Sequence, residues 1–254
     1  MIVDIDPAWF MAVFYTALRI GVVLLMTPIF SSLAGMVTVR VLFTLALSVA
    51  LVSGLHVPPS HVTLAMGPVV LAALAEMANG ATLAFGVFAA FGAFSLAGKI
   101  LDIQSGFGMG SVYDPVTRTG APLFASMLNL LAVAVFFGMN GHHALLRGLA
   151  FSLQRMAPGD GFTGFALDAV IRQFGLMFSL GVALIVPVMF CLLLAETALA
   201  VVSRVLPQMN VFVVGVPVKI FTGVVVLAMT VGSLGPTMER VYSSIFTYWE
   251  QVLT

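Results

Sequence analysis

Hydrophobic positions run along this chain in long blocks that charged residues interrupt rather than share. Stretches without Asp, Glu, Lys or Arg extend from Ile20 to Val39, Val41 to Ala75, Met77 to Gly98, Thr119 to Leu146, Gln173 to Ala195 and Ile220 to Met238. A helix needs about 20 apolar residues to cross a bilayer core, and most of these blocks are that long. The pattern predicts about six helical elements, over 9–30, 41–57, 62–98, 122–146, 173–205 and 211–235. The third contains Glu76 and the turn signal Asn79-Gly80, so it reads as either one helix or two.

Residues 236–254 change character. Met238, Val241, Tyr242, Ile245, Trp249 and Val252 recur at helical spacing, with Glu239, Arg240, Ser243, Glu250 and Gln251 opposite. That is an amphipathic helix. It suits a membrane surface, with Tyr248 and Trp249 at headgroup depth, or a partner protein. Ala89, Ala93 and Ala97, with Gly86 and Ala90 beside them, allow close helix contact, either inside the chain or between subunits.

One segment breaks the apolar pattern. Lys99 to Pro122 reads KILDIQSGFGMGSVYDPVTRTGAP, with Gly106, Gly108 and Gly110 alternating and Pro115 and Pro122 removing donors. Such backbone is not expected as a helix in hydrocarbon and is tolerated at membrane depth only against protein or water. The segment therefore lies outside the bilayer, or lines or closes an opening in an assembly.

Composition narrows the class. Of 254 residues, 61% are hydrophobic and 8% charged, against about 25% charged in a soluble domain. An integral membrane protein follows. Ten basic and ten acidic residues balance, so no basic field points to a nucleic-acid partner. The lone Cys191 leaves no internal disulfide or multi-cysteine metal site. Asp4 and Asp6 precede any basic residue, which does not fit a cleaved signal, so the first block is expected to persist as an anchor.

Candidate chemistry is thin. The glycines of 106–110 lack the pattern of a dinucleotide loop, Ser111 standing where a further glycine belongs. His142 and His143 are adjacent, so on a helix they diverge by roughly 100 degrees; a helix terminus at Asn140-Gly141 accounts for them better than a shared metal. His56 and His61 flank Pro58-Pro59 in an expected turn. No Gly-x-Ser-x-Gly or His-Glu-x-x-His sequence suggests an intramembrane hydrolase. Glu76, Asp102, Asp114 and Glu196 are carboxylates in apolar settings, where ionisable groups are functional candidates or paired. Lys99 lies at helical spacing from Asp102, Arg204 lies two turns from Glu196, and pairing within or between chains is the reading for Glu196 and Lys219.

Three segments combine into a more specific pattern. Gly98, Asp102, Gln104, Gly106-Phe107-Gly108-Met109-Gly110 and Asp114-Pro115 resemble the central loop of the flagellar biosynthetic protein FliR family. Asn140-Gly141-His142-His143, followed by Leu145-Leu146, Ser152 and Pro158, is similar to the same family. Pro207-Gln208-Met209-Asn210-Val211-Phe212, then Gly215, Pro217 and Lys219, is the strongest of the three. Arg19, Pro28 and Arg40 add to it in the first part of the chain, and injectisome counterparts share the plan.

The resemblance implies an all-α, non-enzymatic membrane subunit of the type III export gate, with no cofactor. Its partners would be FliP-like and FliQ-like subunits, other export components and unfolded flagellar proteins in transit, at the inner membrane of the flagellar basal body. It implies a FliP-like portion over 1–172, including a pore plug within 99–122, and a FliQ-like hairpin over 173–235 that turns at Pro207, Gln208, Met209 and Asn210. The amphipathic helix 236–254 would follow. Gly106, Phe107, Gly108, Met109, Gly110, Asp114 and Pro115 would form the plug, with Asp114 or Arg118 latching it by charge; Glu196 and Lys219 would serve assembly. The competing expectation from the residues is a small multi-span solute or ion transporter, with an intramembrane enzyme third.

Overall fold

A computed structural model describes residues 7–27, 37–55, 65–107, 122–162, 164, 166–206 and 211–253, except the side chains of 211 and 212. Among them are α1 (Pro7–Met26), α2 (Val37–Leu55), α3 (Met66–Ser105), α4 (Leu123–Gly138), α5 (Gly141–Arg155), α6 (Leu167–Val205), α7 (Val211–Thr230) and α8 (Gly235–Leu253). A 3-10 turn, Val231–Ser233, joins the last two. No strand occurs among the described residues.

Among the described residues, five helices are long and apolar enough to cross a membrane: α1, α2, α3, α6 and the run Val213–Ser233. The pair α4 and α5 passes the same test together but bends by 71° at its break. In α2, 11% of the apolar window is buried within the chain, against 67% in α3. So α3 is a core helix, and α2 needs lipid or another protein around it.

Two boundaries depart from the sequence expectation, and one open alternative is decided. Glu76 and Asn79-Gly80 do not divide the third element, which is one helix of 40 residues. Gly80 remains helical because it gives room to α1: a Cβ there would lie 2.6 Å from the Arg19 carbonyl oxygen. The same helix runs on to Ser105, so Lys99–Ser105 is helical rather than loop. The stretch Lys99–Ser105 contains no Gly or Pro; the break comes at Gly106, with φ +80°. Finally, the block 122–146 is two helices, separated where Asn140 takes φ 56°. That left-handed position suits Asn, and α5 begins directly behind it at Gly141, as the helix terminus read there requires.

The chain divides into two compact units. The first comprises Met1–Ala89, Asn140–Gln173 and Ser244–Thr254; the second comprises Ala90–Met139 and Phe174–Ser243.

In the first unit, Gly21 of α1 approaches the Thr44 methyl of α2. Gly86 and Gly148 leave space for the rings of Tyr248 and Trp249. Tyr248 Oη donates to the Thr82 carbonyl at 3.0 Å, and Trp249 Nε1 donates to the Leu83 carbonyl at 2.9 Å. Both polar atoms are thus satisfied inside the fold.

In the second unit, Phe91, Phe94 and Phe136 gather around Tyr242 at centroid separations of 5.5–5.7 Å. Tyr242 Oη donates to the Ala132 carbonyl at 2.6 Å. Gly98 abuts the Ala125 backbone, and Gly181 abuts that of Ala93. Ala90, Ala93 and Ala97 here, like Ala89 at the edge of the first unit, are buried, the intramolecular outcome for that stripe.

The apolar face expected on 236–254 is therefore real, but its setting is neither a membrane surface nor a partner. Met238, Val241, Tyr242, Ile245 and Trp249 are buried within the chain, and so is Tyr248. The aromatic pair found polar partners on α3 that no local periodicity encodes.

Candidate functional site

Charged and amide side chains placed among apolar helices are the groups with work to do, since ionised groups are costly there unless paired or wet. They form two clusters, one in each unit.

In the first unit, Arg19 of α1 is 1% exposed and Glu76 of α3 is fully buried. Arg19 Nε donates to Glu76 Oε2 at 2.6 Å and Nη2 donates to Oε1 at 2.8 Å, a two-pronged pair. Nη1 donates to Ser152 Oγ at 3.0 Å and to the carbonyls of Ser152 and Met156, each at 3.1 Å. The Gly159 N–H donates to Glu76 Oε1 at 2.9 Å. One guanidinium thereby fixes α1, α3 and the end of α5, where the Ser152 carbonyl also accepts the Met156 N–H. Nearby, Asn79 Nδ2 donates to the Gly161 carbonyl at 3.1 Å. The sequence signal for this cluster was a single Arg and a single Glu, each isolated in an apolar block; nothing local joined them.

In the second unit, Asp102 does not pair with Lys99. Its Oδ1 accepts the Phe124 N–H at 2.9 Å and its Oδ2 accepts the Ala125 N–H at 3.0 Å. A carboxylate at the first turn of α4 satisfies two otherwise unpaired donors and complements the helix dipole, which outweighs a helical-spaced lysine. Gly98, one turn earlier on α3, brings the two backbones close enough for those bonds.

Glu196 and Lys219, each read as a group that pairs within or between chains, meet each other. Lys219 Nζ lies 3.3 Å from Glu196 Oε1, and the side chains are 18% and 52% exposed. The partner of Glu196 is thus Lys219 of α7 rather than Arg204 on its own helix. Gln104, in the last turn of α3, donates from Nε2 to Glu196 Oε2 over 3.4 Å. Two residues on, Gly106 leaves the helix, its N–H bonded to the Ile103 carbonyl and its Cα facing Val216 of α7.

Gly106 and Phe107 are the described part of the expected plug. Gly108, Met109, Gly110, Asp114, Pro115 and Arg118 lie outside the described residues, as do Pro207, Gln208, Met209, Asn210, His56 and His61. The His142 and His143 rings, both in the first turn of α5, meet edge to face with centroids 4.2 Å apart. Among the described residues, no three His, Cys, Asp or Glu side chains gather as a metal site would require. Burial pushes the Tyr248 phenol up to about 12 and moves that of Tyr242 the same way, so both remain neutral donors in the folded chain.

Residues 10–245 match the family model described as bacterial export proteins, family 1. The flagellar biosynthetic protein FliR of Bacillus subtilis (strain 168) is 30% identical over 251 residues, covering 95% of this chain and 93% of that protein. FliR of Escherichia coli (strain K12) is 26% identical, covering 97% and 94%. The surface presentation of antigens protein SpaR of Shigella flexneri is 31% identical over 144 residues, covering 57% and 56%. With its membrane-length helices and a family match along nearly its whole length, this chain belongs to the FliR family of bacterial export proteins.

Proposed function

We propose that this chain is a non-enzymatic core subunit of the flagellar type III export gate in the bacterial inner membrane. It forms the export pore with FliP-like and FliQ-like subunits and closes it with the segment Gly106–Pro115. Residues 1–172 act as the FliP-like part, 173–235 as the FliQ-like hairpin and 236–254 as the terminal helix.

The observation that carries the reading is where α3 ends. The helix stops at Gly106 against Val216, and the glycine-rich segment leaves from the hairpin-bearing unit rather than from a free terminus. A closure has to be anchored at its stem and compliant beyond it; alternating glycines supply the compliance, and Phe107 and Met109 supply apolar surface that excludes water. Assembly is supported by the exposed apolar side chains of α2, α6 and α7, among them Leu42, Phe190, Val201 and Phe221. Helices of 40 and 39 residues run to about 60 Å, twice the hydrocarbon thickness of about 30 Å, which supports a core that projects from the bilayer.

Deleting Gly106–Asp114 should leave the complex assembled and make the membrane leaky to small ions. Conductance or solute uptake is compared with wild type at equal complex abundance. Wild-type tightness in the assembled deletion would leave the segment as a connector. Native mass spectrometry after co-expression with FliP-like and FliQ-like chains tests assembly; a dispersed monomer that ignores them would favour a self-sufficient transporter.

A further inference from the structure

In the first unit a groove of about 370 Å³ runs between α1 and α2, two helices of membrane-crossing length. Gly21 meets the Thr44 methyl, and Ala12 and Val13 cluster with Val52, so the two helices are antiparallel. On α1 the groove extends from Phe14 to Leu25, about 16 Å of helix. That is close to the depth of one leaflet, half of a hydrocarbon core of about 30 Å. Its walls are apolar except for Thr44, whose hydroxyl is turned to the Arg40 carbonyl at 2.8 Å, and Arg40 itself. Arg40 stands one turn before Thr44 and Leu25 one turn after Gly21, which puts the guanidinium-bearing residue at the outer end of the groove. Arg40 is half-buried there while Val39, Val41 and Leu42 around it are exposed, the reverse of a helix start that faces water.

We infer that this groove is a phospholipid site, with one acyl chain laid between α1 and α2 and its phosphate met by Arg40. The inference stands on the membrane placement of these two helices and needs neither a pore nor a closure. The space has the size of a small-ligand site, about 300–1,000 Å³. A partner helix about 10–12 Å across would occupy more than about 1,200 Å³ over the same length, so the groove suits a slender chain. A guanidinium near the end of a membrane helix reaches headgroup depth, and its planar set of donors matches two phosphate oxygens at once. Lipid tails gain little by exchanging one apolar surrounding for another, so the pairing at Arg40 and the fit of the groove hold the molecule in place. A lipid seated there ties the sparsely covered α2 to α1.

The test uses the co-expressed complex, washed in mild detergent to remove loosely held lipid and loaded with phosphatidylglycerol that carries a diazirine on its acyl chain. Irradiation followed by peptide mass spectrometry should place adducts on the groove faces of α1 and α2. Ala17→Phe fills the groove from its wall and should lower that labelling several-fold at equal complex yield. Arg40→Gln should lower it several-fold as well, whereas Arg40→Lys keeps the charge that meets the phosphate and should keep most of the labelling. Wild-type labelling in Ala17→Phe overturns the site, and wild-type labelling in Arg40→Gln overturns the phosphate contact. Adducts confined to the outward face of α2, or cross-links from the groove to a neighbouring protein chain, show a protein cover and overturn the inference. If Ala17→Phe does not accumulate, the two Arg40 variants decide alone, since they leave the apolar walls intact.

Discussion

The two units use the same chemistry, a basic side chain facing a glutamate across helices, at opposite levels of burial. Arg19 and Glu76 are almost wholly withdrawn from solvent and every oxygen of the carboxylate is bonded. Lys219 and Glu196 form a single contact at 3.3 Å, and half of the glutamate is open. Burial decides what such a pair does. A withdrawn pair has little net worth against an apolar replacement but is very costly to split, so it enforces one geometry. An exposed pair contributes little either way and can be remade cheaply. The first unit is thereby pinned, and the second keeps adjustable contacts beside the glycine segment.

The largest expected effect breaks the pinned pair. Arg19→Leu leaves the Glu76 carboxylate buried with only the Gly159 N–H, and the cost should be about 3–5 kcal/mol. Thermal melting of the purified complex, or its yield where the variant no longer accumulates, reads the loss. Arg19→Leu combined with Glu76→Leu should recover part of it, since no lone charge remains. If the double variant is as damaged as the sum of the single ones, the pair is not coupled as described.

Next come the devices that bring α3 and α4 together in the second unit. A Cβ at Gly98 would meet the Ala125 backbone, which has no rotamer to yield, so Gly98→Ala should cost about 1–3 kcal/mol. Asp102→Ala removes both acceptors at the start of α4 and should cost about 1–2 kcal/mol, with Asp102→Asn intermediate because one oxygen remains. Thermal melting of the purified complex ranks the three. Equal stability of Asp102→Ala and wild type would show that water replaces the carboxylate at that helix start.

How much of this the sequence disclosed follows the range of each interaction. The face of α8 was legible because Met238, Val241, Tyr242, Ile245 and Trp249 obey one helical period. The end of α3 at Gly106 was half legible: the glycine was visible, but a polar text from Lys99 onward read as loop although it is helical. Polarity alone does not stop a helix. Asp102 was read toward Lys99 because helical spacing is local information, whereas its partners lie 22 and 23 residues away, at a helix start that the pattern placed at 122 without naming what would cap it. Arg19 and Glu76 are 57 residues apart, and only the assembled helices say that they meet. Glu196 and Lys219 were legible as groups that pair, but not as each other's partner: helical spacing offered Glu196 only Arg204, and the group that meets it stands on the next helix.

The smallest expected effect on stability is at that last pair, and it bears most directly on function. Lys219→Met removes an ion pair whose glutamate is half exposed, so solvent screens most of the loss and melting should fall by less than about 1 kcal/mol. Export should suffer more than that figure implies. Without the ammonium group, the Glu196 carboxylate loses its Lys219 partner on a helix flanked by the exposed Leu193 and Leu194, a surface that either lipid or a partner must cover. An uncompensated carboxylate there penalises the covered state and leaves the isolated fold nearly unchanged. Complex yield by native mass spectrometry and motility should therefore drop while the melting temperature of what assembles stays close to wild type. A large fall in melting would mean that the pair is pinned like Arg19 and Glu76, and the contrast between the units would fail. Unchanged yield and motility would remove Lys219 from the functional residues and leave Glu196 with Gln104 as its only partner among the described residues.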